Sequence, residues 1–456
     1  MFKIKDLLKA TNGELLQGRA NTSVKDISSD TRTIKLGELF IALEGNNFDG
    51  HHFIKDAIKN KVRAIIISKR INYPKNLVVI LVPDTRRALE DIASFHRNKF
   101  KIPIIAITGS NGKTTTKDML AHILSKKYRV LFTEGTENNS IGVSKALLKL
   151  NKNHQIAVLE LATNHFGEIL NLARISRPDT AIFTNIGQSH LEFLKNLPAV
   201  FREKYSLIKH LKSKGRIIFN NDDRHLRKIE KKSKRRFKIC AFSIKSDSDF
   251  KATKINLGFD YLDFLFNNKI WIRLRTPAEY NVYNALAAIA CAKSFRLNIK
   301  TIKSALEEFQ LPKRRFNFNR IKDFYLIDDC YNSNPSSLTN AIAVLSRYRC
   351  GKRILVCGDM LELGKTSKQL HFGLGKKIGR NGIDFLIAVG KLAGWTARGA
   401  QKGKLNKRRI WRFNSSDKVA NRLAKIIDTG DVILVKGSRL VAMEKVVEDI
   451  KKRFNS

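Results

Sequence analysis

The sequence predicts an α/β protein of three domains. Its 456 residues correspond to about three domains of ordinary size. An apolar content of 43% is enough to build ordinary hydrophobic cores. Short apolar runs rich in β-branched residues alternate with helical patterns along the whole chain, which is typical of strands covered by helices. We place the domains at residues 1–101, 102–313 and 314–456.

The first block is predicted to be a small α/β domain. Its strand-like runs are ELFIAL, RAIIIS and LVVILV, and its helical pattern is FIKDAIKN. The second block is predicted to carry a parallel sheet buried on both faces, with the strands IPIIAIT, QIAVLEL, DTAIFTNI and GRIIFN. The helix NVYNALAAIACAKSF closes it. The stretch LPKRRF, residues 311–316, is interpreted as a linker or as a turn inside one domain.

The third block repeats the alternation of strands and helices. The runs FYLIDD, RILVCG, FLIAVG and DVILVKG predict a second open sheet, which makes this domain Rossmann-like.

A shortened phosphate-binding loop follows the first strand of the central block. In the phrase TGSNGKTTT, residues 108–116, two residues separate the first glycine from the Gly-Lys-Thr end. The strict P-loop has four residues between its first glycine and its Gly-Lys-Ser/Thr end. Glycines let backbone N–H groups face an anion, and the helix that follows adds its positive end. We expect Lys113 to reach terminal phosphates and the Thr114 hydroxyl to bind Mg²⁺. A turn that merely connects a strand to a helix is the alternative.

Polar residues also follow two later strands of the same predicted sheet. Glu160 ends the run QIAVLE, and His190 follows TAIFTN. Ligands of open α/β sheets bind beyond the carboxyl ends of the strands, so these side chains are candidates for holding one or two magnesium ions. A helix-capping carboxylate and a loop histidine are the alternatives.

The chain is strongly basic. Lysine and arginine number 86 against 41 acidic residues, a formal net charge of +45. This charge attracts polyanions, but the basic residues are spread along the chain, and the densest run, residues 227–238, is interpreted as a solvated face. We expect no specific nucleic-acid partner. Without a membrane span, a signal-peptide core or a CxxC pair, the sequence predicts a cytoplasmic protein with reduced thiols.

Several phrases in shared order resemble the Mur ligase family over essentially the whole chain. The N-terminal phrase is SSDTRTIKLGELFIALEGNNFDGHHFI; the central ones are TGSNGKTTT, TENNSIGVSKALL, LELATNHFGEI and TNIGQSHLEF. The phrases IDDCYNSNPSSL, VCGDMLELG and LVKGSR are similar to the member that joins D-alanyl-D-alanine to UDP-N-acetylmuramoyl-tripeptide. The resemblance implies ATP as the phosphate donor and an acyl phosphate as the intermediate.

The resemblance also implies roles for individual residues. Lys113, Lys204 and His190 would be catalytic, with Thr114 and Glu160 on one magnesium ion and His190 on a second. Lys204 matches the lysine that becomes a magnesium ligand by carbamylation, although Tyr205 and Ser206 replace the usual Gly-Glu, and a surface lysine is the alternative. The residues implied to bind ATP are Thr108, Gly109, Ser110, Asn111, Gly112, Lys113, Thr114, Asn281, Arg315 and Asp329.

Departures from the family pattern accompany some of these matches. Tyr280 stands where a histidine commonly precedes the adenine-contacting Asn281. Arg315 and Asp329 have structural alternatives as a linker salt bridge and a helix cap. The residues implied to bind the muramoyl substrate and the dipeptide are Ser29, Asp30, Arg32, Asn138, Asn139, Asn332, Asn334 and Lys436. Ser144 replaces a usual proline near the paired asparagines.

Three other functions are open at this point. A sister ligase would add the third amino acid, but the Asp-Asn-Pro-Arg phrase of its diaminopimelate-type members is not in this sequence. A folate polyglutamate ligase would not need the N-terminal nucleotide domain. A basic nucleic-acid-binding ATPase would account for the charge. The third residue of the tripeptide, diaminopimelate or lysine, is not visible in the sequence, and a monomer is the default expectation.

Overall fold

The computed structural model describes residues 1–45 and 48–455, which form three α/β domains. Each domain is built on its own main sheet, so the predicted three-domain α/β fold is confirmed. The predicted boundaries, after residues 101 and 313, fall in connections between these sheets.

The N-terminal domain carries a small sheet. Its strands are β1 (Phe2–Lys3), β2 (Glu14–Gln17), β3 (Ser23–Val24), β4 (Ile27–Ser28), β5 (Leu39–Ile41), β6 (Glu44–Gly45), β7 (Phe48–Asp49), β8 (Ala64–Ile67) and β9 (Val78–Leu81). Its helices are α1 (Ile4–Thr11), α2 (Ile54–Lys59) and α3 (Thr85–Asn98), with a 3₁₀ turn at Gly50–Phe53. The main sheet has the order β2-β9-β8-β5-β4, and only β2 runs antiparallel to its neighbour.

The central domain is built around one long sheet. Its strands are β10 (Ile104–Thr108), β11 (Val130–Phe132), β12 (Ile156–Glu160), β13 (Thr180–Phe183), β14 (Arg216–Asn220), β15 (Lys238–Ser243), β16 (Phe250–Leu257), β17 (Leu262–Phe266) and β18 (Ile270–Leu274). Its helices are α4 (Lys113–Ser125), α5 (Ser140–Leu148), α6 (Glu168–Ser176), α7 (Leu191–Leu194), α8 (Leu197–Tyr205), α9 (Lys228–Ser233), α10 (Tyr280–Ser294) and α11 (Ile299–Glu308), with a 3₁₀ turn at Ser206–His210.

The order of this sheet is β11-β12-β10-β13-β14-β15-β16-β17-β18. The strands from β11 to β16 are parallel, as the continuous apolar runs predict, and β10, β12 and β13 are fully buried. The antiparallel extension β16-β17-β18 was not predicted. Its strands β17 and β18 alternate buried and exposed residues because only one face packs on the core.

The C-terminal domain is a second open sheet between helices. Its strands are β19 (Asn317–Ile321), β20 (Phe324–Asp329), β21 (Arg353–Gly358), β22 (Phe385–Val389), β23 (Ile410–Phe413) and β24 (Val432–Lys436). Its helices are α12 (Pro335–Leu345), α13 (Ser367–Arg380), α14 (Ala393–Lys402), α15 (Val419–Leu423) and α16 (Glu444–Asn455), with 3₁₀ turns at Gly364–Thr366, Lys407–Arg409 and Arg439–Val441. The order is β19-β20-β24-β21-β22-β23, parallel except for β19.

The two outer domains contact the central domain in different ways. Leu89 of α3 and Val143 of α5 belong to one buried apolar cluster, so the N-terminal and central domains share a core. The C-terminal domain instead receives Phe259, from the turn between β16 and β17, among aromatic rings. The Phe259 ring centroid lies 4.6 Å from that of Tyr325 and 5.0 Å from that of Tyr348. These aromatic contacts lie at the end of the central sheet that is formed by β16, β17 and β18.

The five cysteines are free, and three of them are buried. Within the described ranges, no helix is long and apolar enough to cross a lipid bilayer.

Candidate active site

The shortened loop joins β10 to α4 and depends on two glycines. Gly109 and Gly112 have φ angles of 152° and 81°, values that side-chain-bearing residues rarely adopt. A Cβ on Gly109 would lie 1.9 Å from Oγ1 of Thr184, and one on Gly112 would lie 2.3 Å from Oδ1 of Asn284. The loop is therefore pressed against its neighbours at both glycines, and Gly112 opens the helix whose N-terminus faces the cleft.

The segment that follows β13 holds this loop in place. The N–H of Asn111 donates to Oδ1 of Asn185 at 2.9 Å, and the Thr184 hydroxyl donates to the Asn111 carbonyl at 2.6 Å. The Ser110 hydroxyl bonds to the backbone of Gly187. Because β10 and β13 are adjacent parallel strands, their carboxyl ends bring these two segments together.

Lys113 lies with its ammonium over the loop. Its Nζ donates to the carbonyls of Gly109 and Ser110 at 3.1 and 3.5 Å. Burial lowers the pKa of Lys113, Arg315 lowers it further, and Glu160 opposes both. A negatively charged phosphate at this place would favour the ammonium form of Lys113.

Glu160 at the end of β12 presents an unsatisfied carboxylate oxygen. Its Oε1 accepts a hydrogen bond from Nδ2 of Asn138 at 2.8 Å, while Oε2 is buried and has no partner. A buried carboxylate oxygen without a partner is costly unless a cation or water completes it. Together with the Thr114 hydroxyl, which lines the same cleft, this oxygen fits a hard divalent cation such as Mg²⁺.

Lys204 is buried in α8, with 1% of its surface exposed. Among the described residues, its ammonium makes no hydrogen bond and no ion pair. Burial, and then the nearby positive charge of Lys113, lower the pKa of Lys204 to about 7. The neighbouring Glu203 is turned the other way and accepts hydrogen bonds from the N–H groups of Gly167 and Ile169. The alternative of an exposed surface lysine is therefore wrong, and a neutral amine at this position can react with CO₂.

His190 lies at the turn after β13 and contacts the C-terminal domain. Its Nδ1 is 2.5 Å from Oε2 of Glu362, which follows β21. This hydrogen bond lowers the pKa of Glu362 and keeps its carboxylate ionised. The imidazole thus lies at the boundary between the two domains.

The C-terminal domain supplies the opposite wall of the cleft. The guanidinium of Arg315 lies 3.9 Å from the ring centroid of Tyr331 and donates to Oγ1 of Thr114 at 3.2 Å. Asp329 and Lys436 form a buried pair with an Nζ to Oδ2 distance of 2.6 Å. Burial raises the pKa of Asp329, and Lys436 opposes this rise. Arg315 is thus a contact between domains rather than a linker salt bridge.

Asparagine side chains connect the loop to the third domain. Nδ2 of Asn334 donates to Oδ1 of Asn111 at 2.7 Å, while its Oδ1 caps α12. The carbonyl of Asn332 accepts a hydrogen bond from Nζ of Lys436 at 3.0 Å. On the central side, Asn281 is buried and bonds to Asn284 and Thr276.

Most of these groups, but not Lys204, line one cleft of about 580 Å³ between the central and C-terminal domains. Its walls include the phosphate loop, Glu160, His190 and Tyr280 from the central domain. From the C-terminal domain, the predicted residues that line the cleft are Arg315, Asp329, Asn332, Asn334 and Lys436. From the central domain, Asn138 and Asn281 also line it.

Some predicted residues lie elsewhere. Asn139 is exposed and its side chain caps α5 by accepting a hydrogen bond from the N–H of Gly142. Ser29, Asp30 and Arg32 are on the N-terminal domain and are not part of the cleft wall. Arg32 forms a two-pronged pair with Asp30 and lowers the pKa of that carboxyl to about 2.

Sequence reasoning missed several residues of the cleft. Glu362 and Tyr331 lie in the quoted phrases VCGDMLELG and IDDCYNSNPSSL, and Asn185 lies in TNIGQSHLEF. Their positions just after β21, β20 and β13 are the signal that could have identified them, since polar residues at strand ends were the criterion that identified Glu160.

Comparisons with known proteins agree with this architecture. A model of the Mur ligase middle domain matches residues 107–292, one of the Mur ligase glutamate ligase domain matches residues 314–439, and one of the Mur ligase family catalytic domain matches residues 23–97. The chain is 35% identical to the UDP-N-acetylmuramoyl-tripeptide--D-alanyl-D-alanine ligase of Buchnera aphidicola subsp. Baizongia pistaciae, over 98% of each protein.

Solved structures give the same result. MurF from Acinetobacter baumannii has a TM-score of 0.91 and 32% identity, over 99% of both chains. MurF ligase from Thermotoga maritima, solved in complex with ADP, has a TM-score of 0.85 and 28% identity, over 95% of this chain and 98% of that one. Since the likeness extends through all three domains at these identities, the chain belongs to the Mur ligase family.

Proposed function

We propose that this chain is an ATP-dependent, ADP-forming ligase that joins D-alanyl-D-alanine to UDP-N-acetylmuramoyl-tripeptide. The γ-phosphate of ATP passes to the terminal carboxylate of the tripeptide, giving an acyl phosphate and ADP. The amine of the dipeptide then attacks the acyl carbon, a proton is lost from the nitrogen, and inorganic phosphate leaves. The product is the pentapeptide precursor of peptidoglycan.

The observation that carries this proposal is the cleft between the phosphate loop and the C-terminal domain. Phosphoryl transfer between two anions requires cationic groups that screen their repulsion. Lys113 comes from one wall, while Arg315 and Lys436 come from the other. Full-length similarity to D-alanyl-D-alanine-adding ligases supports the choice of acceptors.

We assign the nucleotide to the loop and its surroundings. Backbone N–H groups of residues 112–114, at the start of α4, would face the phosphates, and Lys113 would exchange its loop carbonyls for phosphate oxygens. The adenine is assigned to Asn281, with the ring of Tyr280 beside it, and the ribose to Asp329. Arg315 would contact the phosphates from the other domain.

Divalent cations fit the polar groups on the central side of the cleft. We assign one magnesium ion to Thr114 and Glu160 and a second to His190, and carbamylated Lys204 would be a further magnesium ligand. When bound, magnesium would neutralise the developing charge on the transferring phosphoryl group. The amine of Lys204 has no partner and a pKa of about 7, which favours the neutral form that takes up CO₂ with loss of one proton.

The two acceptors are assigned to opposite ends of the cleft. Asn332, Asn334 and Lys436 are the proposed dipeptide residues, although Asn334 and Lys436 already bond to Asn111 and Asp329. The muramoyl substrate is assigned to Asn138 and Asn139 near the cleft. Its uridine diphosphate is assigned to Ser29, Asp30 and Arg32 on the N-terminal domain.

Contacts across the cleft make catalysis depend on closure of the C-terminal domain. Closure completes the cationic walls and keeps water from a hydrolysable acyl phosphate. A chemical crosslink that holds the domains apart should abolish ligation. Undiminished turnover in the crosslinked protein would overturn this part of the proposal.

The test of the function is phosphate release from MgATP with both acceptors, omitting each in turn, and the mass of the product. We expect release only with both acceptors and a product heavier than the tripeptide substrate by the dipeptide less water. Lys113→Met should lose this release, whereas Lys127→Met, on the exposed end of the same region, should retain it. Release with another amino acid, with folate substrates, or with nucleic acid alone would refute the ligase assignment.

The substrates and the cleft indicate the compartment and the oligomeric state of the enzyme. ATP and a UDP-linked sugar are intracellular metabolites, so we place the enzyme in the cytoplasm. We also propose that it acts as a monomer, because one chain supplies both walls of the cleft.

A further inference from the structure

His190 and Glu362 meet across the boundary between two domains in unusual backbone conformations. Their φ angles are 52° and 62°, both in the left-handed region. Such a conformation is strained for a residue other than glycine, and it persists where the surrounding structure imposes it. Two such residues at a hydrogen-bonding distance from each other indicate that the surrounding structure imposes this pairing.

The backbone fixes the same contact. The N–H of Glu192 donates to the carbonyl of Glu362 at 3.1 Å. Gly364 packs so closely on this turn that a Cβ would lie 3.0 Å from Cα of Glu192. The turn after β21 therefore docks on the turn after β13, and the carboxylate of Glu362 arrives at His190 only when the two domains are together.

The chemistry of the pair determines which ring nitrogen is available. Nδ1 of His190 lies 2.5 Å from Oε2 of Glu362, and because a carboxylate oxygen accepts hydrogen bonds, Nδ1 is the donor of this one. A neutral imidazole then has its lone pair on Nε2, which has no hydrogen-bond partner among the described residues. Both side chains line the same cleft as Glu160, whose Oε2 has no hydrogen-bond partner among the described residues.

We propose that Glu362 is a positioning residue that holds His190 with Nδ1 protonated and Nε2 free to bind a divalent cation. Because Glu362 belongs to the C-terminal domain, docking of that domain and completion of the cation site are one event. The identification of the cation as the magnesium of the ligase rests on the proposed function. Loss of such a partner behind a ligating histidine costs about 10–100-fold in metal affinity.

The test compares Glu362→Ala with Glu362→Gln, whose amide oxygen can still accept from Nδ1. Binding of Mn²⁺ in the presence of ADP is followed by the electron paramagnetic resonance of free Mn²⁺. We expect the dissociation constant to rise about tenfold or more for Glu362→Ala and to be substantially restored in Glu362→Gln. Glu192→Ala is the matched control, since Glu192 contacts Glu362 through its backbone, and it should bind Mn²⁺ like the parent.

Nitrogen-15 NMR of histidine-labelled protein provides a second readout, with the His190 signal assigned by its loss in His190→Asn. The parent and Glu362→Gln should show protonated Nδ1, and Glu362→Ala should lose this preference. Protonated Nε2 in the neutral parent ring, or unchanged Mn²⁺ affinity in Glu362→Ala, would overturn the proposal. An equal loss in Glu192→Ala would also overturn it. Neither readout needs turnover, so absence of ligase activity would refute the proposed function alone.

Discussion

Replacing Lys204 by methionine should stabilise the protein, by an amount that depends on pH. The Lys204 side chain is buried, its ammonium has no partner among the described residues, and its pKa falls from the ordinary 10.5 to about 7. At about 1.4 kcal/mol per pKa unit, this fall corresponds to ~5 kcal/mol of destabilisation when the group is charged. Methionine has similar length and no charge, so it should remove this cost while filling the same space.

The sign of the pH dependence follows from proton binding. Below pH 7 both folded and unfolded chains hold the proton, and the cost is complete. Between pH 7 and 10.5 the unfolded chain holds a proton that the folded protein has released, so the parent gains stability as pH rises. The advantage of Lys204→Met should therefore fall from ~5 kcal/mol at pH 6 to ~2 kcal/mol at pH 9.

Urea unfolding in carbonate-free buffer at several pH values measures this difference. Lys209→Met, on an exposed lysine of the following turn, is the control and should show no comparable trend. An advantage of Lys204→Met that is constant with pH, or a destabilisation at pH 6, would refute the reasoning. Added bicarbonate should reduce the advantage at neutral pH, because carbamylation removes the buried positive charge.

Two further substitutions test the walls of the cleft. Gly112→Ala places a Cβ 2.3 Å from Asn284 at a φ of 81°, and we expect ATP affinity measured by calorimetry to fall about 10- to 100-fold. Gly167→Ala is the control, because its φ of 88° imposes the same kind of backbone strain while the space around the added Cβ is open. This variant should bind ATP normally. Equal losses of ATP affinity in the two variants would contradict the steric argument. Lys436→Met leaves Asp329 buried and unpaired, so thermal and urea unfolding should show a loss of about 3–5 kcal/mol. The double variant with Asp329→Asn should recover part of this loss, and additive losses would contradict the pairing.

The sequence predicted those parts of the site that depend on local spacing. The phosphate loop is recognisable because its glycines, lysine and threonine are consecutive, and the structure gives both glycines left-handed or otherwise restricted positions. Glu160 and His190 were identified because parallel strands bring their carboxyl ends to one edge of a sheet. The continuous apolar runs of β10, β12 and β13 made that sheet predictable in turn.

Features that depend on how the domains dock could not be read in this way. No single segment of the sequence predicts that Asn334 bonds to Asn111 or that Glu362 bonds to His190, because these partners are more than 170 residues apart. The burial of Lys204 was equally hidden, since helix α8 exposes Arg202 and buries Lys204 according to what packs on each face. The strands β17 and β18 were missed because they alternate buried and exposed residues instead of forming continuous apolar runs.

The surrounding charges and burial explain why Lys113 and Lys204 of the central domain differ from ordinary lysines. Burial lowers the pKa values of both lysines, and a neighbouring cation lowers each further, Arg315 for Lys113 and Lys113 for Lys204. Glu160 opposes this effect at Lys113. A phosphate near Lys113, or a carbamate on Lys204, supplies the missing negative charge and turns repulsion into attraction. Anionic ligands bound beside these cations would offset their repulsion, which is the arrangement expected of a site that must assemble several anions before they react.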